Sequence, residues 1–334
     1  MNRTKNKFTK ILVTFFAATL LLLTLTGCQT AKTQTVEKPK VINIAYSLKP
    51  LNLPSIVALE QKVFETEFAK DGIEVKWYAL EGPATTEALA AKSIDFAVSL
   101  NYVSAIIAKA NGNDIKVISS YTKFPKAIGL LAATDKGINS VADLKGKKVA
   151  LQKGTMLQEM LIKALEEVNL KASDVEIVGL ASADAANALM QKQVDAAVLP
   201  DPLMTKAIAS EKTKLLRNAD GLILGQAVIA ARSDFVQKYP DIVKKFLTIH
   251  NQTLEWCNAN KDAALTLASK VNDMDIKAVN ALYPKFDFSL AIDQVNKQKL
   301  KESADFLKTN NFIKSDTDTQ SLINNLIDIS YLPK

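Results

Sequence analysis

The feature that most restricts the fold of this chain is an internal repeat. Thr86-Glu-Ala-Leu-Ala-Ala-Lys-Ser-Ile-Asp-Phe-Ala-Val98 aligns without a gap on Ala186-Asn-Ala-Leu-Met-Gln-Lys-Gln-Val-Asp-Ala-Ala-Val198, an offset of 100 residues. Ala88/Ala188, Leu89/Leu189, Lys92/Lys192, Asp95/Asp195, Ala97/Ala197 and Val98/Val198 are identical, and Ile94/Val194 are similar. The upstream runs align too, Glu74-Val75 on Asp174-Val175 and Leu80 on Leu180. Each copy reads as a helix, then a strand, then a loop: Ser99-Leu-Asn-Tyr102 in the first half and Leu199-Pro-Asp-Pro202 in the second.

Short apolar runs alternate with helical patterns around the repeat. Strands are expected over Val41–Tyr46, Ile73–Leu80, Ile94–Ser99 and Lys116–Tyr121, and helices over Pro54–Ala69, Thr85–Lys92 and Val103–Ala110. This βαβα rhythm makes the chain an α/β protein, with a mostly parallel sheet flanked by helices in each half. In open α/β sheets, ligands bind beyond the carboxyl ends of the strands, where helix N-termini offer unpaired N–H groups. Two such lobes facing one another make a cleft. The chain must then cross between lobes twice, near Lys126–Ala133 and near Gly225–Ala231, both small-residue extended runs suited to hinge strands. From Ser233 onward the pattern is nearly all helical and is expected to pack on the first lobe. The resulting boundaries are 41–127 for lobe 1, 128–227 for lobe 2, and 228–334 for the return to lobe 1 and the C-terminal helices.

The start of the chain has a different character. Arg3, Lys5, Lys7 and Lys10 precede an apolar stretch from Ile11 to Leu25, which Leu25-Thr26-Gly27-Cys28 closes. That stretch is short of the ~20 residues a spanning helix needs and fits a signal h-region. Leu-Thr-Gly-Cys resembles the lipobox of bacterial lipoproteins. Residues 1–27 are therefore expected to be a signal peptide removed before Cys28, whose thiol carries lipid of the palmitate kind. Residues 28–40 are polar, end at Pro39-Lys40, and read as a flexible tether. Stable anchoring takes more than one acyl chain. The expected location is the extracytoplasmic face of the cell membrane.

Composition removes several function classes. The chain has 42 basic and 35 acidic residues; without residues 1–27 it keeps 38 against 35, a net +3. With no basic stripe interleaved with aromatics, nucleic acid is not an expected partner. With lipid on Cys28, Cys257 is alone and no disulfide forms, so stability must come from burial. One histidine, His250, and one free cysteine cannot make a tetrahedral zinc site. No P-loop, Gly-x-Ser-x-Gly elbow or dinucleotide glycine fingerprint is present. No catalytic residue, metal or cofactor is expected.

The run Ser140-Val-Ala-Asp-Leu-Lys-Gly-Lys-Lys-Val-Ala-Leu-Gln-Lys-Gly-Thr155 resembles the second-lobe entry of periplasmic solute-binding proteins. Ser140 and Asp143 have capping-box spacing, Gly146 ends a short helix, Val149-Ala-Leu151 is a strand, and Lys153-Gly-Thr155 opens the next helix. Ile44-Ala-Tyr46, Gly72-Ile-Glu-Val75, Glu81-Gly-Pro83, Ile94-Asp-Phe96, Val194-Asp-Ala196, Asp201-Pro202 and Ala231-Arg-Ser-Asp-Phe235 extend the likeness over most of the chain. The set is similar to the aliphatic sulfonate, taurine and nitrate binding proteins of ABC transporters, whose fold also serves thiamine-pyrimidine precursors. The resemblance implies a two-lobed type II periplasmic-binding-protein fold and a monomer that captures a small solute between its lobes. It also implies delivery of that solute to an ABC permease with its ATPase.

Carried over by position, the likeness puts ligand contacts on Ser47, Leu48, Lys49, Asn52, Thr85, Ser99, Asn101 and Tyr102 of lobe 1. From lobe 2 it puts them on Gln152, Gly154, Thr155, Met156 and Asp201. Several of these start helices, and for each of them helix capping is the alternative role. Backbone N–H groups at the same ends favour an anion. Arg217 and Arg232 are the only arginines after Arg3 and neither is on a cleft loop, so an amino-acid carboxylate clamp is not expected. Leu48, Leu51, Leu53, Leu100 and Met156 make the rim apolar, which favours an alkyl or aryl sulfonate over nitrate. The alternatives are a thiamine-type pyrimidine, for which Tyr102 and Asp201 are the local candidates, a menaquinone-pathway-like enzyme on the same fold, and a sensory or adhesive lipoprotein.

Overall fold

The computed structural model describes residues 37–47 and 51–333. The expected signal peptide 1–27, Cys28, the expected tether as far as residue 36, and Leu48 and Lys49 lie outside the described residues. Contacts divide the chain into Met1–Glu37 and Lys38–Lys334, and the fold is that of the second unit.

Its first half runs β1 (Val41–Tyr46), α1 (Leu53–Glu60), α2 (Val63–Ala69), β2 (Glu74–Ala79), α3 (Pro83–Ala90), β3 (Phe96–Asn101), α4 (Tyr102–Ala110) and β4 (Ile115–Lys123). The second half runs β5 (Ile128–Ala133), β6 (Lys148–Leu151), α5 (Met156–Glu166), β7 (Glu176–Gly179), α6 (Ser182–Met190), β8 (Ala196–Pro200), α7 (Leu203–Ala209) and β9 (Thr213–Asn218). The chain returns through β10 (Gln226–Arg232) to α8 (Ser233–Lys238), α9 (Pro240–Ala259), α10 (Lys261–Asn272), α11 (Ile276–Leu282), α12 (Gln294–Thr309) and α13 (Thr319–Leu326).

Two five-stranded sheets result, ordered β2-β1-β3-β10-β4 and β7-β6-β8-β5-β9. They follow one plan. A parallel trio is followed by one antiparallel strand and then an edge strand pointing with the trio. The antiparallel strand is in each case the one that follows a crossing, β5 and β10. The chain changes lobe through Phe124–Ala127 and returns through Ala219–Gly225, and the small-residue runs beside these crossings lie inside the sheets. β5 shows why they read as featureless apolar runs. Ile128, Leu130 and Ala132 enter the core shared by both lobes, while Leu131 and Ala133 enter a second cluster confined to lobe 2. A strand covered on both faces loses its polar alternation.

Local chemistry accounts for the element ends. Ser140 and Asp143 form the capping box of a short 3₁₀ turn, Val141–Leu144, and Gly146 follows with φ +72°. The single helix expected over Pro54–Ala69 is two, because Lys62 sits at φ +51° between α1 and α2. The C-terminal helices pack on lobe 1, α9 against α1 and α2, and α13 against α4 and β4. Among the described residues no helix is long and apolar enough to cross a membrane.

Candidate functional site

The carboxyl ends of the parallel strands in both sheets border one cavity of about 70 Å3 that opens to solvent. Lobe 1 lines it with Ser47 after β1, Leu80–Gly82 after β2, Val98–Asn101 at the end of β3, and Thr85 in the first turn of α3. Lobe 2 lines it with Gln152, with Thr155–Leu157 at the start of α5, with Ser182 at the start of α6, and with Pro200. Phe124, from the outgoing crossing, and Ala227 complete the wall. The starts of α3, α4, α5 and α6 thus converge here, two from each lobe, and the first N–H groups of a helix have no partner within it.

Side-chain bonds shape this wall. Asn52 is fully buried behind it and donates from Nδ2 to the Ser47 carbonyl (2.5 Å) and to Ser99 Oγ (2.8 Å), tying the end of β1 to that of β3. Ser99 there adopts φ +67°, a left-handed conformation costly for a residue with a side chain. Asn101 caps α4, accepting from Ser104 N (2.9 Å) and donating to Ser104 Oγ (2.8 Å); that hydroxyl donates across the cleft to the Gly154 carbonyl (2.9 Å). Thr155 Oγ1 caps α5, accepting from Leu157 N (3.2 Å) while donating to the Gln152 carbonyl (2.7 Å). The hydroxyls of Thr85 and Ser182 and the side-chain amide of Gln152 have no hydrogen-bond partner among the described residues. They give the cavity one or more polar groups from each lobe.

Of the residues expected from sequence, Ser47, Thr85, Ser99, Asn101, Gln152, Thr155 and Met156 come together on the cavity. Leu48 and Lys49 lie outside the described residues. Asn52 stands behind the wall, and Gly154 faces the groove beside α3 and α4 instead. Tyr102 is turned away. Its buried hydroxyl donates to the Glu159 carboxylate, which Ser303 Oγ (2.9 Å) and Lys163 (3.0 Å) also hold. Burial and the neighbouring Glu159 charge push the Tyr102 phenol well above its ordinary value. Asp201 is the clearest departure from expectation. It is fully buried; Oδ1 accepts from Thr205 N (2.9 Å) and Oγ1 (2.7 Å), and Oδ2 from Lys285 Nζ (2.9 Å). Oδ1 is engaged within lobe 2 and Oδ2 braces lobe 2 to the C-terminal segment, and Asp201 does not line the cavity. Leu51 and Leu53, expected on the rim, are core residues.

Sequence reasoning missed Leu80, Glu81, Val98, Phe124, Leu157, Ser182, Pro200 and Ala227 as wall residues. For two of them a signal existed. The offset of 100 carries Gly82 onto Ser182 and Leu100 onto Pro200, and all four line the cavity.

A cavity closed between two lobes of like topology, walled by strand ends and helix starts of each, defines the periplasmic-binding-protein fold. A family model described as NMT1/THI5 like matches residues 57–264, and the chain belongs to that family. A protein of Bacillus subtilis (strain 168) named for aliphatic sulfonate binding is 33% identical over 288 residues, covering 85% of this chain and 85% of that one. One of Escherichia coli (strain K12), named likewise, is 27% identical over 255 residues, 75% of this chain and 78% of that one. The solved structure of the alkanesulfonate-binding protein SsuA from Xanthomonas axonopodis pv. citri bound to MOPS superposes with a TM-score of 0.79 at 21% identity, covering 87% of this chain and 99% of that one.

Proposed function

We propose that this chain is the extracytoplasmic solute-binding component of an ABC importer, and that it captures a small organic sulfonate between its lobes for delivery to the permease and ATPase. The observation that carries the reading is the convergence of four helix starts and the Thr85, Ser182 and Gln152 side chains, from both lobes, on one cavity. Neutral donors at helix N-termini suit a singly charged anion, and Leu100, Phe124, Met156 and Leu157 suit its carbon chain. The names of the relatives support the same ligand class. The pyrimidine alternative is weakened because Tyr102 and Asp201, its local candidates, are both engaged elsewhere. Hinge bending at the two crossings is the proposed closing motion. The chain acts as a monomer and a binder, not an enzyme, and is held to the membrane by lipid on Cys28.

Thermal unfolding with alkane and aryl sulfonates, nitrate and an aminopyrimidine tests this. A sulfonate at a hundred times its Kd stabilises the protein by about 2.7 kcal/mol and is recovered unchanged. Stabilisation by the pyrimidine alone, or conversion of the ligand, would overturn the reading. Mass spectrometry of the N-terminal peptide from membranes tests the anchor: an unacylated Cys28 removes it.

A further inference from the structure

Four consecutive residues of β3, Val98 to Asn101, line the cavity. A regular strand sends alternate side chains to opposite faces, so four in a row at one space is not strand geometry. β3 is irregular there. Its parallel pairing with β1 stops at Ala97. Its antiparallel pairing with β10 steps from Ala97 opposite Ala230 to Leu100 opposite Val228, so Val98 and Ser99 together face Ile229. Such a two-against-one bulge re-aims a strand, and Ser99 sits in it at φ +67°. Lobe 2 has no matching break. β8 pairs with β5 without interruption from Ala196 to Pro200, and of Leu199, Pro200 and Asp201 only Pro200 reaches the cavity.

A left-handed serine needs support from its surroundings. The tie on Ser99 comes from Asn52, whose side chain is fully buried and makes no capping bond to α1, the helix it precedes. Its amide donates to Ser99 Oγ at 2.8 Å and to the Ser47 carbonyl at 2.5 Å, the end of the neighbouring strand. We infer that Asn52 is a positioning residue for solute binding. By fixing the Ser99 hydroxyl it holds the bulge in the left-handed form that turns Val98 to Asn101 toward the cavity. Asn52 stands behind the wall and acts through Ser99, without touching the solute. The inference rests on the binding reading given under Proposed function and adds to it the device that shapes the lobe 1 wall.

Glycine separates conformation from contact, because it takes a positive φ without help from a side chain. Dissociation constants for butane-1-sulfonate and benzenesulfonate are measured by calorimetry on the full protein, on Ser99→Ala, Ser99→Gly and Asn52→Ala, and on the last two combined. Ser99→Ala keeps the backbone strain and loses the tie, and should weaken binding about tenfold. Ser99→Gly loses the same hydroxyl, yet should stay within about threefold of the wild type. Asn52→Ala should weaken binding about tenfold alone and less than about threefold in the Ser99→Gly background. Equal affinities of Ser99→Ala and Ser99→Gly overturn the inference and leave sulfonate binding standing. So does a loss from Asn52→Ala that is the same factor in both backgrounds. Should Asn52→Ala fail to fold, the two Ser99 variants still decide it. Failure of the wild type to bind either sulfonate sinks the binding reading and this inference with it.

Discussion

The two lobes share a frame and differ at the wall. Lys92 and Lys192 end α3 and α6 in the left-handed region, at φ +58° and +62°. Each pairs with an aspartate two residues beyond the antiparallel strand, Asp234 at 2.8 Å and Asp135 at 2.5 Å. Asp95 and Asp195 likewise accept from the backbone N–H of the first strand of their trio, Asn43 at 2.8 Å and Lys148 at 2.9 Å, and each faces a cation, Arg232 at 3.2 Å and Lys136 at 3.4 Å. The polar identities of the repeat are therefore joinery. The match stops after Val98 and Val198, and beyond them the two halves build the wall differently. Lobe 1 continues with Ser99, Leu100 and Asn101, all on the cavity; lobe 2 continues with Leu199, Pro200 and Asp201, of which only Pro200 reaches it. What the halves keep in common holds the sheets together, and solute choice lies where they part.

The common joint is not equally deep in the two lobes, and the largest expected effect follows from that. Asp95 and Arg232 are 8% and 16% exposed, against 20% and 36% for Asp195 and Lys136. Burial pushes the Asp95 carboxyl up, opposed by the Asn43 hydrogen bond and the Arg232 charge. Asp95→Ala removes one of two carboxylates facing Arg232, which keeps Asp234 at 3.2 Å, and leaves the Asn43 N–H without its acceptor, so it should cost about 2–3 kcal/mol. Asp195→Ala leaves groups that water reaches and should cost about 1 kcal/mol. Urea denaturation midpoints measure both, and equal losses would break the claim that depth separates the lobes.

The wall can be tested by exchanging equivalent residues. Gly82 has φ +57° and ψ −135°, a conformation close to glycine's alone, with Gln152 against it. Gly82→Ser combines backbone strain of about 1–3 kcal/mol with a collision that holds the cleft open, so sulfonate affinity should fall about a hundredfold. The reciprocal Ser182→Gly removes one hydroxyl and should weaken binding about tenfold or less, on the order of one hydrogen bond. Calorimetry on the two variants decides it. A larger loss from Ser182→Gly would place the closing contact in lobe 2.

Much of this was legible in the sequence because it is periodic. The strand and helix alternation and the capping box at Ser140 follow from spacing, and the resemblance carried over by position pointed to Ser47, Thr85, Ser99, Asn101, Gln152, Thr155 and Met156 at the strand ends. The break at Lys62 did not, since a left-handed lysine inside an amphipathic run leaves no mark in its pattern. Nor did the positions of β5 and β10 inside the sheets, because burial on both faces erases the alternation. Tyr102 and Asp201 failed for a different reason. Each stands one residue from a wall residue, Asn101 and Pro200, and a single step along the backbone turns a side chain to another face. Their partners, Glu159 and Lys285, lie 57 and 84 residues away in the chain. No local pattern announces such a pairing.

Acid should act on one side of the molecule. His250, the chain's only histidine, is buried in α9 against Tyr121, with ring centroids 5.4 Å apart, and desolvation pushes its pKa down to about 4. An unfolded histidine titrates near 6.5, so between these values the unfolded chain binds the proton and the folded one does not. The stability is whole above pH 6.5 and is lost as pH falls toward 4, about 2 kcal/mol of it between pH 6.5 and 5. His250→Leu should flatten that slope, which melting temperatures across the range would reveal. An unchanged slope would put the acid sensitivity elsewhere, in groups lobe 2 also has.

The smallest effect asks whether the shared frame is as symmetric at its surface as it is unequal at its core. Lys92 and Lys192 each carry a side chain in a conformation that favours glycine by about 1 kcal/mol. Each gains in return an exposed ion pair worth about 0–1 kcal/mol. Lys92→Gly and Lys192→Gly relieve the first and forfeit the second, so each should leave stability within about 1 kcal/mol of the parent, on the stabilised side. The two should also agree with one another, because both pairs are exposed to similar degrees. Unfolding midpoints at low and high salt separate the terms: screening weakens only the parent's ion pair, so the variants should gain ground as salt rises. Unequal responses would mean that the exposed joint of the repeat, like the buried one, has been adapted separately in each lobe.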